Sequence, residues 1–314
     1  TGIQNTFVGS LAGDANTTGG ANVALGYHAL GAEDTGNRNV AVGHEALVAQ
    51  NSNAANNNVA VGYQAGHDIT TGVNNTFVGS EAGDGTDDGN NNIAMGYQAL
   101  SGNAADANVA IGLEAMLVGT GSANTCIGKN SGNALTSGSN NLFLGNDSGK
   151  TGSPGGNMTN DANKIQLGDE NIAEAHIQVD WSVASDQRDK TDFTALDLGL
   201  DFVKGLAPVT YKWDKRSKYG DKTADGYDLN AQSPDGTHKE DWLDIGFKAQ
   251  EVQALEEAAG YTTAAKKNLT VSTSGDGKQM GLQYSKFIPI LVKAMQEQNA
   301  LIEALTARIV TLEG

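Results

Sequence analysis

The sequence predicts a mainly β fold, in which stacked β-roll or β-helix repeats precede a small α+β domain with a C-terminal coiled-coil helix. Three observations predict it. A motif of Asn, three mostly apolar or small residues and Gly occurs nine times, at intervals of 16 to 19 residues. Near residue 179 this Gly- and Asn-rich pattern gives way to Trp, Tyr and Lys, and the last segment carries apolar residues seven positions apart. We therefore assign residues 1–178 to the repeats and residues 179–314 to a second domain.

Composition excludes several classes of protein. The 314 residues carry a net charge of −17, most of it in the repeats, so the surface repels nucleic acid and anionic membranes and neither is an expected partner. The single cysteine, Cys126, cannot form an intrachain disulfide. There is no apolar run of about 18 residues, so we expect no membrane insertion. Because the sequence starts just ahead of a repeat and without Met, we expect it to be part of a longer protein.

The repeats cannot fold one at a time, because each supplies only three or four apolar residues. Short strands and Gly/Asn turns at a fixed period instead indicate stacked coils, each burying its inner face on its neighbours. A Gly at a fixed phase suits a turn with positive φ or a close approach of the backbone, and Asn tolerates the same left-handed region. A weaker tenth copy ends at Gly168. The nine clear copies are Asn5–Gly9, Asn22–Gly26, Asn39–Gly43, Asn58–Gly62, Asn75–Gly79, Asn92–Gly96, Asn108–Gly112, Asn124–Gly128 and Asn141–Gly145.

The repeats hold no convincing metal or cofactor site. His28, His44 and His67 fall at three different phases of the repeat, so they do not form a ladder of ligands. The segment Asp84–Gly89 opens like a calcium loop, but Met95 stands where the closing Glu belongs, and a polar turn is favoured. No pair of carboxylates stands out from the general acidity. We expect no metal and no cofactor.

The second domain begins with mixed elements. Residues 196–207 have the spacing of an amphipathic helix that ends before Pro208. Residues 209–213 alternate as a strand, and the charged residues 214–241 are expected to form a surface excursion. A further helix is predicted over residues 248–259, with Gly260 as its cap.

The C-terminal segment predicts a helix over about residues 286–313. Two rows of residues repeat every seven positions with an offset of three, which is the pattern of a coiled-coil seam. The alternative is an amphipathic helix that packs on its own domain. The seam residues are Ile288, Leu291, Met295, Gln298, Ile302, Leu305, Ile309 and Leu312.

The repeats resemble the head repeats of YadA-like trimeric autotransporter adhesins and similar repeats of phage tail fibres. This resemblance covers about residues 3–168 and implies a parallel homotrimer of β-rolls. The Ile/Leu seam by itself favours a dimer. We nevertheless expect the trimer that the repeats imply, because a short appended helix can adopt the symmetry of the repeats that precede it.

The second domain resembles the intramolecular chaperone domain of endosialidase-type phage tailspikes and tail fibres. The resemblance implies that the domain drives trimer assembly and then cuts itself off before Ser185. Four blocks carry it in order: Ser185-Asp186-x-Arg188-x-Lys190-x-Asp192, Leu206-x-Pro208-x-x-Tyr211-x-Trp213, Ile245-Gly246-Phe247-x-Ala249-Gln250-Glu251-Val252, and Tyr284 with the C-terminal helix.

The resemblance assigns chemistry to two residues. Ser185 would be the nucleophile that attacks the carbonyl of Ala184, and Lys190 the general base, which requires burial or neighbours that favour its neutral amine. The chain would then be at most a single-turnover Ser/Lys autoprotease acting on itself. Two residues depart from the family pattern. Asp244 stands where a His is usual, and the carboxylate of Asp189 works against a base at Lys190.

Together these features predict a structural, receptor-facing segment of a homotrimeric phage tail fibre. It would be located in the virion after assembly in the host cytoplasm. The implied partners are two further copies of the chain, a host cell-surface receptor (glycan or protein) and other tail proteins. The alternative is a bacterial trimeric surface adhesin, and a glycan-degrading tailspike is a third, less favoured reading.

Overall fold

The chain folds into two compact units. The first comprises Thr1–Ile172 with Gly220–Gln232, and the second comprises Ala173–Tyr219 with Ser233–Gly314. The boundary assigned after residue 178 stays a prediction. The computed structural model describes residues 2–52, 55–222, 224–265, 267 and 269–314.

The repeats form a β-solenoid, as the sequence predicts. Each motif contributes one short strand, and among the described residues the strands pair in parallel, in sequence order, into a ten-stranded sheet. The register follows the motif: Ala24 lies beside Ala41, which lies beside Ala60. The strands are β1 Thr6–Val8, β2 Val23–Leu25, β3 Val40–Val42, β4 Val59–Val61, β5 Thr76–Val78, β6 Ile93–Met95, β7 Val109–Ile111, β8 Thr125–Ile127, β9 Leu142–Leu144 and β10 Ile165–Leu167.

The solenoid core balances large and small residues. Where the central strand residue is Ala24, the facing turn supplies Leu30, and both are fully buried. Where it is Phe77, the turn supplies Gly83, and a Cβ there would lie 2.5 Å from the Phe77 ring. The alternation of Gly and Leu in the sequence is therefore volume compensation, which a close-packed core requires.

The repeat Asn itself does not have left-handed backbone. Positive φ belongs to the residue before it, as at Asn74 (φ 60°). The Asn side chain is instead buried in a hydrogen-bond ladder. The Asn75 carboxamide oxygen accepts from the backbone N–H of Asn92 at 2.8 Å, and its amide donates to the Gly89 carbonyl at 2.8 Å. This arrangement satisfies backbone groups that the turn would otherwise bury unpaired.

The repeat Gly has the role that the sequence predicts. Gly26 has φ of 138°, and a Cβ on it would lie 2.3 Å from the carbonyl oxygen of Gly43 in the next coil. Any side chain would push successive coils apart, so both the positive φ and the close approach require Gly.

Part of the predicted surface excursion belongs to the solenoid unit. Gly220–Gln232 belongs to the same unit as the repeats. Within this segment Leu229 is buried (1% exposed), and Lys222 forms an ion pair with Glu170.

The second unit is a small α+β fold whose first helix is shorter than predicted. It begins at Leu200 rather than at residue 196, because Gly199 precedes it and the Glu297 carboxylate accepts from the Leu200 N–H at 2.7 Å. Two antiparallel strand pairs join Val209–Tyr211 to Asp244–Gly246 and Val271–Thr273 to Met280–Leu282; of these four strands, only the first was predicted from the sequence. The elements are α1 Leu200–Gly205, β11 Val209–Tyr211, β12 Asp244–Gly246, α2 Ala249–Ala258, β13 Val271–Thr273, β14 Met280–Leu282 and α3 Phe287–Glu313.

Helix α2 ends at Ala258, and Gly260 follows it with the positive φ expected of its predicted cap. Gly260 has φ of 88°, and the Tyr261 N–H donates to the Glu256 carbonyl at 2.8 Å, which closes the helix end. The buried Glu256 carboxylate also accepts from the Thr270 N–H at 2.6 Å. The helix thereby holds the chain that leads into β13.

Candidate functional site

The segment from Ser185 to Lys190 folds back on itself in a short 3₁₀ turn. The Asp186 carboxylate caps this turn and accepts from the Arg188 N–H at 2.9 Å. The Arg188 guanidinium donates to the same carboxylate at 2.6 Å and holds the pKa of Asp186 below its ordinary value. The Lys190 N–H donates to the Gln187 carbonyl at 3.2 Å and closes the turn.

This turn explains the spacing of the serine and the lysine. It reverses the chain, so that Lys190 Nζ lies 2.6 Å from Ser185 Oγ. The structure thus brings together the two residues that the family resemblance singled out. The signal that sequence reasoning missed is the pairing of Asp186 with Arg188, which holds the turn.

The Ser185–Lys190 pair is exposed in the single chain. All residues from 171 to 195 are exposed, and every hydrogen bond that the described structure gives residues 185–192 stays within that segment. A lysine can take the serine proton only as its neutral amine. Burial is the ordinary way to favour the neutral amine. The single chain therefore supplies the geometry of the pair but not its desolvation.

The other blocks of the resemblance meet around the β11–β12 pair. Asp244 lies opposite Tyr211 in register, and its carboxylate accepts from the Tyr211 hydroxyl and the Trp213 indole N–H, both at 3.3 Å. Burial and this carboxylate raise the pKa of Tyr211. The Tyr284 hydroxyl accepts from the Phe247 N–H at 3.3 Å, and the two rings stack. Asp244 thus links the side chains of Tyr211 and Trp213.

Helix α3 has two apolar faces. One packs on its own unit through Phe287, Ile290 and Ala294, each at most 5% exposed. The other contains all eight predicted seam residues, and each of them is exposed. Near the helix start, Ile288 and Val292 also line an open groove of about 540 Å³. The seam is therefore available to a partner in the single chain.

The solenoid also presents an unpaired apolar face. In each strand the central residue points into the core, while its two neighbours point outward. The outward positions are Val, Ile, Leu, Met or Thr throughout, and none is charged in a chain of net charge −17. Leu25, Met95 and Ile127 are 40–46% exposed. A face this long and apolar marks an interaction surface.

The histidines of the repeats lie apart from this chemistry. The His44 ring stacks between Tyr27 and Tyr63 at centroid distances of 5.0 and 5.4 Å, and His67 contacts Asp68 at 2.6 Å. Within the described part of the chain, three or more His, Cys, Asp or Glu side chains do not cluster in a way that could hold a metal ion.

Comparison with known proteins identifies one region. The family model described as the chaperone of endosialidase matches residues 185–261, beginning at Ser185. The match supports a C-terminal chaperone domain and includes none of the repeats. Neither a curated protein nor a solved structure matches the chain. Of the helices that the described residues form, none has both the length and the apolar character needed to cross a bilayer.

Proposed function

We propose that this chain is a receptor-facing segment of a homotrimeric phage tail fibre, and that its C-terminal domain drives trimer assembly and then cuts the Ala184–Ser185 bond. One observation carries the proposal. The chaperone family match begins at Ser185, the residue whose hydroxyl lies 2.6 Å from Lys190 Nζ. In this proposal the solenoid stays in the virion, where it binds a host glycan or protein and contacts other tail proteins.

Two unpaired apolar surfaces support assembly. The outward face of the solenoid sheet and the exposed seam of α3 each leave large hydrophobic side chains in water. Each surface repeats along its own unit, so identical copies placed side by side in parallel would cover it. Closed cyclic symmetry is the usual form of such homo-oligomers.

The proposed cut needs only the chain and one water molecule. The Ser185 oxygen attacks the Ala184 carbonyl carbon while the neutral Lys190 amine takes the hydroxyl proton. The C–N bond then breaks, the proton passes to the departing Ser185 nitrogen, and an ester joins Ala184 to the serine oxygen. Hydrolysis of that ester leaves a carboxylate on Ala184 and a free amino group on Ser185.

Assembly would control this reaction through burial. In the single chain Lys190 is exposed, so the burial that a lysine base requires would come only from assembly. Packing of three chains removes water from the segment, so cleavage follows correct assembly. A monomeric C-terminal fragment that cleaved as fast as the trimer would refute this coupling.

The test is the intact mass of the purified protein, beside Ser185→Ala, Lys190→Ala and a control, Ser182→Ala, which changes an exposed serine outside the turn. We expect two fragments that meet at Ala184/Ser185 in the parent and the control, and one uncut chain in the two turn variants. Light scattering gives the oligomeric state. An uncut trimeric parent would refute self-cleavage and leave an assembly clamp, whereas a monomeric parent would refute the assembly role.

A further inference from the structure

The segment that leads into the Ser185 turn has one apolar and one polar face. From Ala173 to Val183 the residues alternate strictly. The odd positions are Ala173, Ala175, Ile177, Val179, Trp181 and Val183, and the even positions are Glu174, His176, Gln178, Asp180 and Ser182. Alternation with period two places each set on its own side of an extended chain. The pattern is that of a half-buried strand.

Among the described residues of the single chain, none pairs with the backbone of this segment. Ile177, Val179, Trp181 and Val183 are 53–80% exposed. Within the described residues no backbone–backbone hydrogen bond involves residues 173–184, and the one ion pair there joins His176 to Glu174 on the polar face. Four large apolar side chains in a row therefore remain in water until something covers them.

We infer that residues 173–183 are an assembly segment, whose apolar faces from three copies of the chain pack against one another around the trimer axis. This inference rests on the proposed trimer. The distribution of charge points to copies of the same segment as the occupant. Around a cyclic axis each residue meets itself, so any charge on the inner face would meet like charges. Glu174, His176 and Asp180, the ionisable residues of the segment, all lie on the other face.

The same packing would position the bond that is cut. Val183 and the scissile Ala184 carbonyl are adjacent in the chain, so anchoring Val183 and Trp181 near the axis fixes where that carbonyl lies relative to Ser185 Oγ. In the described part of the single chain, that carbonyl accepts no backbone hydrogen bond. The assembly segment thus makes the geometry of cleavage depend on the presence of three copies.

Cysteine substitution tests the inference in the full chain. Val179→Cys places a thiol on the apolar face, and Gln178→Cys places one on the polar face as the matched control. Cys126 gives little background, because it is fully buried and burial raises the pKa of its thiol to about 12. After mild oxidation, non-reducing electrophoresis should show covalent dimers for Val179→Cys, at least ten times more than for Gln178→Cys.

A second pair of variants measures the effect on cleavage. Trp181→Ser should slow the appearance of fragments at least tenfold, whereas Ser182→Ala, one position further, should not change it. Equal cross-linking at positions 178 and 179, or unchanged cleavage in Trp181→Ser, would overturn the inference if the parent is a cleaved trimer. A monomeric parent would instead overturn the proposed function from which the inference starts.

Discussion

Replacement of Asn75 by Ala should destabilise the solenoid more than an ordinary surface change. Asn75 is fully buried, and its side chain makes 2.8 Å hydrogen bonds to the Asn92 N–H and the Gly89 carbonyl. Ala leaves that donor and that acceptor buried without a partner. Each unsatisfied group costs about 1–3 kcal/mol, so the expected loss in the free energy of unfolding is about 2–6 kcal/mol per chain.

Asn90→Ala is the matched control for this ladder. Asn90 also bridges two coils, since it accepts from the Val73 N–H at 2.9 Å and donates to Asp106 at 3.0 Å, but its side chain is only partly buried. Water can replace these bonds, and we expect a loss below about 1 kcal/mol. Urea unfolding followed by circular dichroism, at one fixed chain concentration, compares the two variants with the parent. Equal losses, or a loss below about 1 kcal/mol for Asn75→Ala, would show that the buried ladder is not what stabilises the coils.

Two further predictions concern pH dependence and assembly. Burial raises the pKa of Glu33, so as pH rises above about 4.5 the unfolded chain loses this proton before the folded chain does, and stability falls. The thermal midpoint should therefore drop less between pH 4.5 and pH 7 in Glu33→Gln than in the parent. An identical drop in both proteins would contradict the argument. Ile302→Asp should abolish the trimer, because this exposed seam residue would place like charges together, whereas Ala307→Asp on the opposite side of α3 should not. Light scattering measures the oligomeric state of each variant. Loss of the trimer in both variants would argue that the predicted seam residues are not the ones that form the trimer contact.

The family resemblance and the structure contribute differently to the candidate site. The pair Ser185 and Lys190 is named by a motif of six residues, and its geometry is local, because the Asp186 cap and the turn lie within the same six residues. Such a site is readable from sequence. The desolvation that a lysine base needs depends on groups far away in sequence or in other chains, which no local pattern records.

The solenoid, the place of each of its strands, the Gly260 cap after α2 and the extent of α3 could all be predicted from the sequence. These features follow from periodicity and from single residues with special backbone freedom, so they need no knowledge of distant contacts. Tertiary structure alone decided the buried role of the repeat Asn, since its partner is a backbone amide one coil away. It also decided the start of α1, since the carboxylate that caps Leu200 comes from Glu297 in α3. Hydrogen bonds between residues distant in the chain exist only after folding brings them together, and for that reason the sequence does not display them.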